Sequence, residues 1–244
     1  MAATTRGATV LTDVYRTAPF HPGPLHDREG RAEVIVQDVS PGILPGDRLA
    51  IDVTVVEGAS LSVVGQSATK LYPSPSGLPA ELRTSLTVGA GGALWWLPGA
   101  LIPFRDAVYT SRTHVTLHEG SRFALLEIIT PGRMAMGECH AYASLDLRLR
   151  IDVAGKPVMI ERTMLDPIAR PPAFAADRQD LRCSGALVLI GYPVPREIEN
   201  CRADVWLGAD GGPNLAIVSG VSYSAEPLRN ALESVLRGLQ DRGD

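Results

Sequence analysis

Cysteine, aromatic residues and clustered charge are all scarce in this chain of 244 residues. Cys139, Cys183 and Cys201 are the three cysteines, an odd number without a C-x-x-C pair. A disulfide framework and a thiolate zinc site are thereby disfavoured, and reduced thiols fit best. The net charge is −4, with lysines and arginines scattered along the chain. That leaves no basic stripe for nucleic acid or an anionic membrane surface. Long hydrophobic runs are missing too, since the longest quiet apolar stretch, Gly185 to Tyr192, is far too short to cross a bilayer. Near the N-terminus, Ala8-Thr9-Val10-Leu11 is followed at once by Thr12-Asp13, which does not make a secretion signal. The expected location is cytoplasmic, with neither nucleic acid nor membrane as partner.

What the chain does have is a 45% hydrophobic composition, 24 glycines and 19 prolines, with only 5% aromatic residues. It can bury a full core, and the abundance of turn formers favours short strands over a helical bundle. No composition shift marks a domain boundary, so residues 1–244 read as a single domain. Three segments share one plan: Val53-Thr-Val-Val-Glu-Gly-Ala-Ser-Leu61, Leu86-Thr-Val-Gly-Ala-Gly-Gly-Ala-Leu94 and Val115-Thr-Leu-His-Glu-Gly-Ser-Arg-Phe123. Each reads as a strand, a tight glycine turn and the next strand, so the turns at Gly58, Gly91 and Gly120 are expected to join antiparallel strands. Leu49, Ile51, Val53 and Val55 alternate with Asp52 and Thr54, as a half-buried strand requires. Arg148 to Val153 alternates likewise and turns through Ala154-Gly155 into Val158 to Met164. Helical spacing is confined to Leu228, Leu232, Val235, Leu236 and Leu239, behind a cap at Ser224 and an early Pro227. Pro167 to Asp180, with Pro171-Pro172, reads as a loop or crossover. The fold class is mostly β: stacked antiparallel or mixed sheets, β-helix-like, with a short C-terminal helical segment.

Standard catalytic signatures fail. Gly65-Gln-Ser-Ala-Thr69 breaks the nucleophile-elbow pattern at its last place, and Gly89 to Leu94 breaks the dinucleotide fingerprint. His114 and His118 flank a turn and read as a solvated pair. The carboxylates say more. Glu127 shares a strand face with Phe123, Leu125 and Ile129, where a lone charge is costly without a partner, water or a raised pKa. Glu161 raises the same question, and Glu138 shares a face with His140. Two readings stand. Glu127 points to solvent from an edge strand while Glu161 pairs with an arginine, or these four side chains line an interior polar passage whose oxygen and imidazole ligands suit a borderline divalent cation such as nickel. Trp95 and Trp96 alternate faces, so one ring is expected in water, and together with the apolar C-terminal stripe this predicts poor solubility without a partner.

Pro45-Gly46-Asp47, Gln66 to Tyr72, Leu94-Trp-Trp-Leu-Pro98 with Ile102-Pro-Phe104, and Thr130-Pro-Gly-Arg133 before Gly137-Glu138 closely resemble, in order, segments of the urease accessory protein family called UreD or UreH. Lys156-Pro157 leading to Ile160-Glu161-Arg162 fits as well, and the resemblance runs from about Val34 to Leu165. It departs at Val63-Val64-Gly65, at Ser40 to Pro45 and in the C-terminal third. The resemblance implies a non-enzymatic maturation scaffold, a metallochaperone-like conduit that docks on the urease apoprotein subunits and on UreF, which carries the GTPase UreG. It also allows a homodimer within that accessory complex. No cofactor is expected to stay bound; nickel would be in transit past Glu127 and Glu161, with Glu138 and His140 as further metal ligands. The alternative is a small-molecule enzyme whose acid and base are among Glu127, Glu138, His140 and Lys70.

Overall fold

A computed structural model describes residues 2–5, 8–28, 31–167, 183–195, 204–212 and 214–240. Cys201 and all but the first residue of the Pro167–Asp180 stretch lie outside them. Period-two patterning is realised as seventeen strands among the described residues: β1 (Ala2–Thr5), β2 (Ala8–Leu11), β3 (Phe20–Arg28), β4 (Arg31–Asp38), β5 (Arg48–Val55), β6 (Ser60–Gly65), β7 (Thr69–Leu71), β8 (Ala80–Val88), β9 (Ala93–Leu97), β10 (Leu101–Pro103), β11 (Val108–Leu117), β12 (Arg122–Ile129), β13 (Ser144–Val153), β14 (Lys156–Leu165), β15 (Cys183–Ile190), β16 (Val205–Gly211) and β17 (Leu215–Ser222). One helix follows, α1 (Ala225–Gln240), and between Val34 and Leu165 the only helical turn is the 3-10 segment Met134–Met136.

The first sheet has the order β14-β13-β11-β8-β5-β1-β2, and the second runs β16-β17-β15-β12-β9-β6-β4-β3 with β7 and β10 attached at its side. The three glycine turns correct the hairpin expectation. Each carries the chain from one sheet to the other: β5 to β6, β8 to β9 and β11 to β12. Equivalent strands of successive units then pair in parallel, β5 with β8 and β8 with β11 in one sheet, β6 with β9 and β9 with β12 in the other. The repeat is therefore a stack of β-arches. The turns satisfy one another's polar groups, since the Gly58 N–H donates to the Ala90 carbonyl at 3.0 Å and the Gly91 N–H to the Glu119 carbonyl at 3.1 Å. Gly58, Gly91 and Gly120 have φ of 67°, 62° and 67°, a region open to glycine at little cost. The Ala154-Gly155 turn does make an antiparallel hairpin, β13 with β14, bulged between Ile151 and Asp152.

Alternation then sorts the core into layers. Val55, Leu86, Val115 and Ile151 of the first sheet pack on Leu61, Leu94, Phe123 and Val188 of the second at the arch end. Ile43, Leu71, Tyr109, Tyr142 and Leu145 fill the opposite end. The far face of the second sheet, with Ala124, Leu126 and Ile128, is covered by α1 through Leu228, Leu232, Leu236 and Leu239. The stripe, expected to close against the sheets or a partner, is occupied by the chain's own sheet. Neither tryptophan is left in water: Trp96 lies between the sheets and Trp95 beneath the helix. Among the described residues no helix is long and apolar enough to cross a membrane.

Candidate functional site: a cavity between the sheets

Between the two inter-sheet clusters the core is interrupted by a cavity of about 120 Å³. Its origin lies in the inward face of β11, which reads Tyr109, Ser111, Thr113, Val115, Leu117. The last two close the arch-end core, whereas Ser111 and Thr113 are too small and too polar to fill the space. Thr113 stands in register beside Thr84 of β8, which extends the polar step to the neighbouring strand. Trp96 and Leu125 supply apolar wall from the second sheet.

Glu127 enters this cavity from β12, on the face it shares with the buried Phe123 and Leu125. Among the described residues nothing donates a hydrogen bond to its carboxylate, and no Lys, Arg or His is among the residues lining the cavity. Glu127 is half-buried and lines the cavity. Burial, and secondarily the charge of Glu161, push its pKa up to about 7. Tyr109, on the facing sheet, is raised as well, first by burial and then by the Glu127 charge.

Glu161 lies elsewhere than a fully interior passage requires. It sits opposite Leu149 in the β13–β14 pairing and so points to the inter-sheet side, yet it is exposed because β14 is the edge of its sheet. Its Oε1 accepts from the Thr163 hydroxyl at 3.1 Å. The nearby arginine is committed elsewhere, since Arg162 donates to Asp146 at 2.9 and 3.0 Å.

Glu138 and His140 do not share a strand face. Their segment is an irregular loop in which His140 adopts φ 51°, which breaks the alternation. The buried Glu138 accepts from Arg133 Nε at 2.8 Å and Nη2 at 2.5 Å, and from the Arg105 backbone N–H at 3.2 Å. Arg133 foremost holds this carboxyl below the usual carboxylate range. His140 is half-buried, its ring edge-on to Tyr142 at 6.1 Å. Neither residue lines the cavity. Lys70 is exposed on β7, so Glu127 is the one member of the acid–base alternative that borders the cavity. His114, read as solvated, pairs its Nε2 with Asp152 Oδ2 at 2.7 Å. Among the described residues no three His, Cys, Asp or Glu side chains converge as a closed metal site would need.

Sequence reasoning missed Tyr109, Ser111, Thr113 and Thr84. The signal was present as two hydroxyl residues, Ser111 and Thr113, on the inward face that β11 otherwise fills with Tyr109, Val115 and Leu117.

In comparison with known proteins, the family described as UreD urease accessory protein matches residues 1–243. The urease accessory protein UreD of Cereibacter sphaeroides is 33% identical over 217 residues, covering 86% of this chain and 78% of that protein. UreD of Kocuria rhizophila is 34% identical over 237 residues, covering 94% of this chain and 58% of that protein. UreD of Sporosarcina pasteurii is 34% identical over 149 residues, covering 59% of this chain and 57% of that protein. The chain thus spans less than two thirds of the length of the latter two relatives.

Proposed function

The chain belongs to the UreD family of urease accessory proteins, and from that premise we propose that it serves urease maturation in the cytoplasm as a non-enzymatic scaffold and nickel conduit. In this reading it joins the urease apoprotein to UreF and, through UreF, to the GTPase UreG. The observation that carries the conduit is Glu127: a carboxylate inside a cavity whose lining holds no Lys, Arg or His. A desolvated carboxylate with a pKa near 7 gains most from a passing cation, which replaces the proton it otherwise keeps. One strong ligand flanked by the hydroxyls of Ser111, Thr113 and Thr84 binds a divalent ion loosely, as transit requires, whereas a complete ligand set would trap it. Exposed Glu161 stands as an entry or exit group on the same inter-sheet side.

The test uses the assembled system: this chain with the urease subunits, UreF and UreG. Glu127→Gln preserves the side-chain volume and is expected to lower nickel content per urease by roughly tenfold, in the range seen when metal-site groups are altered. Co-purification of the accessory proteins stays unchanged. Normal nickel loading by the variant overturns the conduit; loss of co-purification overturns the assignment of Glu127 to passage.

A further inference from the structure

The outer face of the first sheet carries a charge pattern that the cavity does not use. Strand pairing, parallel from β5 through β13 and antiparallel between β13 and β14, sets one position of each strand beside the next. Ala50 of β5, Arg83 of β8, Arg112 of β11, Arg148 of β13 and Arg162 of β14 therefore form one cross-strand row. Neighbours in such a row are about 5 Å apart, so four guanidinium-bearing residues lie across roughly 15 Å of sheet. Like charges set opposite one another destabilise a sheet unless countercharge is at hand.

Half of the row has its countercharge. Asp146 accepts from Arg148 Nη2 at 2.6 Å and from Arg162 Nε at 2.9 Å, which together hold its carboxyl well below the usual range. Next along β13, Asp152 accepts from Arg150 Nε at 2.9 Å and pairs with His114. The other half has none. Among the described residues no carboxylate comes within ion-pair distance of Arg48, Arg83 or Arg112, even though Glu81 stands in register beside Arg48. These three arginines, with Glu81 and Thr110, surround a shallow depression of about 330 Å³ over Ala50. Ala50 holds the row position that is arginine on the next four strands, and its small side chain leaves the space open.

We propose that Arg48, Arg83 and Arg112 form a docking site for an acidic segment of a partner protein, whose Asp or Glu carboxylate enters the depression over Ala50. The clamp already exists on the same face, where Arg148 and Arg162 hold Asp146; the partner supplies a carboxylate that none of the described residues, Glu81 included, brings within ion-pair distance of Arg83 and Arg112. Charge complementarity favours a short acidic segment over nucleic acid. Asp52, Glu81, Asp146 and Asp152 interrupt the outer face, and the whole chain is net −4, whereas a phosphate backbone needs an unbroken basic track. The site lies on the opposite face of the sheet from the cavity and stands apart from the conduit reading.

The experiment is fluorescence anisotropy of the full chain with a labelled peptide of about ten alternating Asp and Ser residues, long enough to cross the row at about 3.3 Å per residue. Saturable binding that weakens as salt rises is expected. The pair Arg83→Gln with Arg112→Gln should weaken it by about tenfold or more, whereas Arg237→Gln, which removes one positive charge from α1, leaves it unchanged. Circular dichroism melting checks the fold of each variant. The pair Arg83→Lys with Arg112→Lys keeps the charge but loses the planar fork, so binding several-fold weaker than that of the unaltered chain is expected there too. No saturable binding, equal loss in Arg237→Gln, undiminished binding in both Arg83/Arg112 pairs, or tighter binding of duplex DNA than of the peptide would each overturn the site.

Discussion

Glu127 of β12 and Tyr109 of β11 border the same cavity from opposite sheets, and the cavity lining offers neither of them a cation. The phenol stays neutral across the physiological range, its pKa raised by burial and by the Glu127 charge. The carboxyl is the group that titrates there. Besides Tyr109, the titratable groups on its surroundings among the described residues are Asp38 at the cavity wall and Glu161 at the sheet edge. Every charge among these is negative.

This arrangement sets the sign of a pH effect. Glu127 goes from an ordinary pKa of 4.5 to about 7 in the folded chain, so the native state holds a proton that the unfolded state releases. Its contribution to stability is full below the unfolded value and is lost as pH rises through about 7, amounting to no more than about 3 kcal/mol. Glu127→Gln stays neutral at every pH. Urea unfolding should find the variant about 1–3 kcal/mol more stable than the unaltered chain at pH 8 and nearly equal to it at pH 5. A variant that is less stable at pH 8 would show that the ionised carboxylate has a favourable partner.

Close backbone approach at the cavity wall gives a second expectation. A Cβ on Gly99 would lie 1.8 Å from the Ser67 carbonyl oxygen and 2.7 Å from its carbon, and one on Gly65 would lie 2.5 Å from the Gly99 nitrogen. Backbone cannot yield as a side-chain tip can. Gly99→Ala should therefore cost about 3 kcal/mol, at the upper end for overpacking. Gly208→Ala, whose added methyl meets nothing within 4 Å, should be neutral or slightly stabilising, because alanine loses less backbone freedom on folding. Denaturant midpoints of the two variants separate these outcomes, and equal midpoints would refute the steric argument.

Local chemistry was legible in the sequence wherever one strand or helix decides it. The alternation of Leu49, Ile51, Val53 and Val55 is the alternation of partial burial and exposure in β5, and the Leu228 to Leu239 stripe is the buried face of α1. The face that Glu127 shares with Phe123 and Leu125 was legible, but that this face is covered rather than open to solvent depended on β12 lying between β9 and β15. Choices made between elements were not legible. A glycine turn supplies positive φ whether the next strand returns beside its predecessor or crosses to another layer, and at Gly58 packing selected the crossing. Glu161 has the same strand pattern as Glu127, but the order of strands in the sheet put β14 at an edge. The Arg83–Arg112 row appears only once parallel register is known, since no spacing within one strand encodes it.

Trp95 shows the same limit at longer range and gives the last expectation. Its Nε1–H donates to the Tyr192 hydroxyl at 2.8 Å, with both residues buried in the layer beneath α1 and 97 positions apart in the chain. Removing the acceptor alone strands a buried donor, so Tyr192→Phe should cost about 1–3 kcal/mol although it deletes a single oxygen. Trp95→Phe removes the donor but also part of a large ring, and its cost adds lost packing to the lost bond. In the double variant the unsatisfied N–H no longer exists. Its destabilisation should therefore fall short of the sum of the two single effects by about 1 kcal/mol, the coupling expected of residues in contact. Chemical denaturation of all four proteins measures that coupling directly, and strict additivity would mean that water or another acceptor takes over the indole proton when Tyr192 is altered.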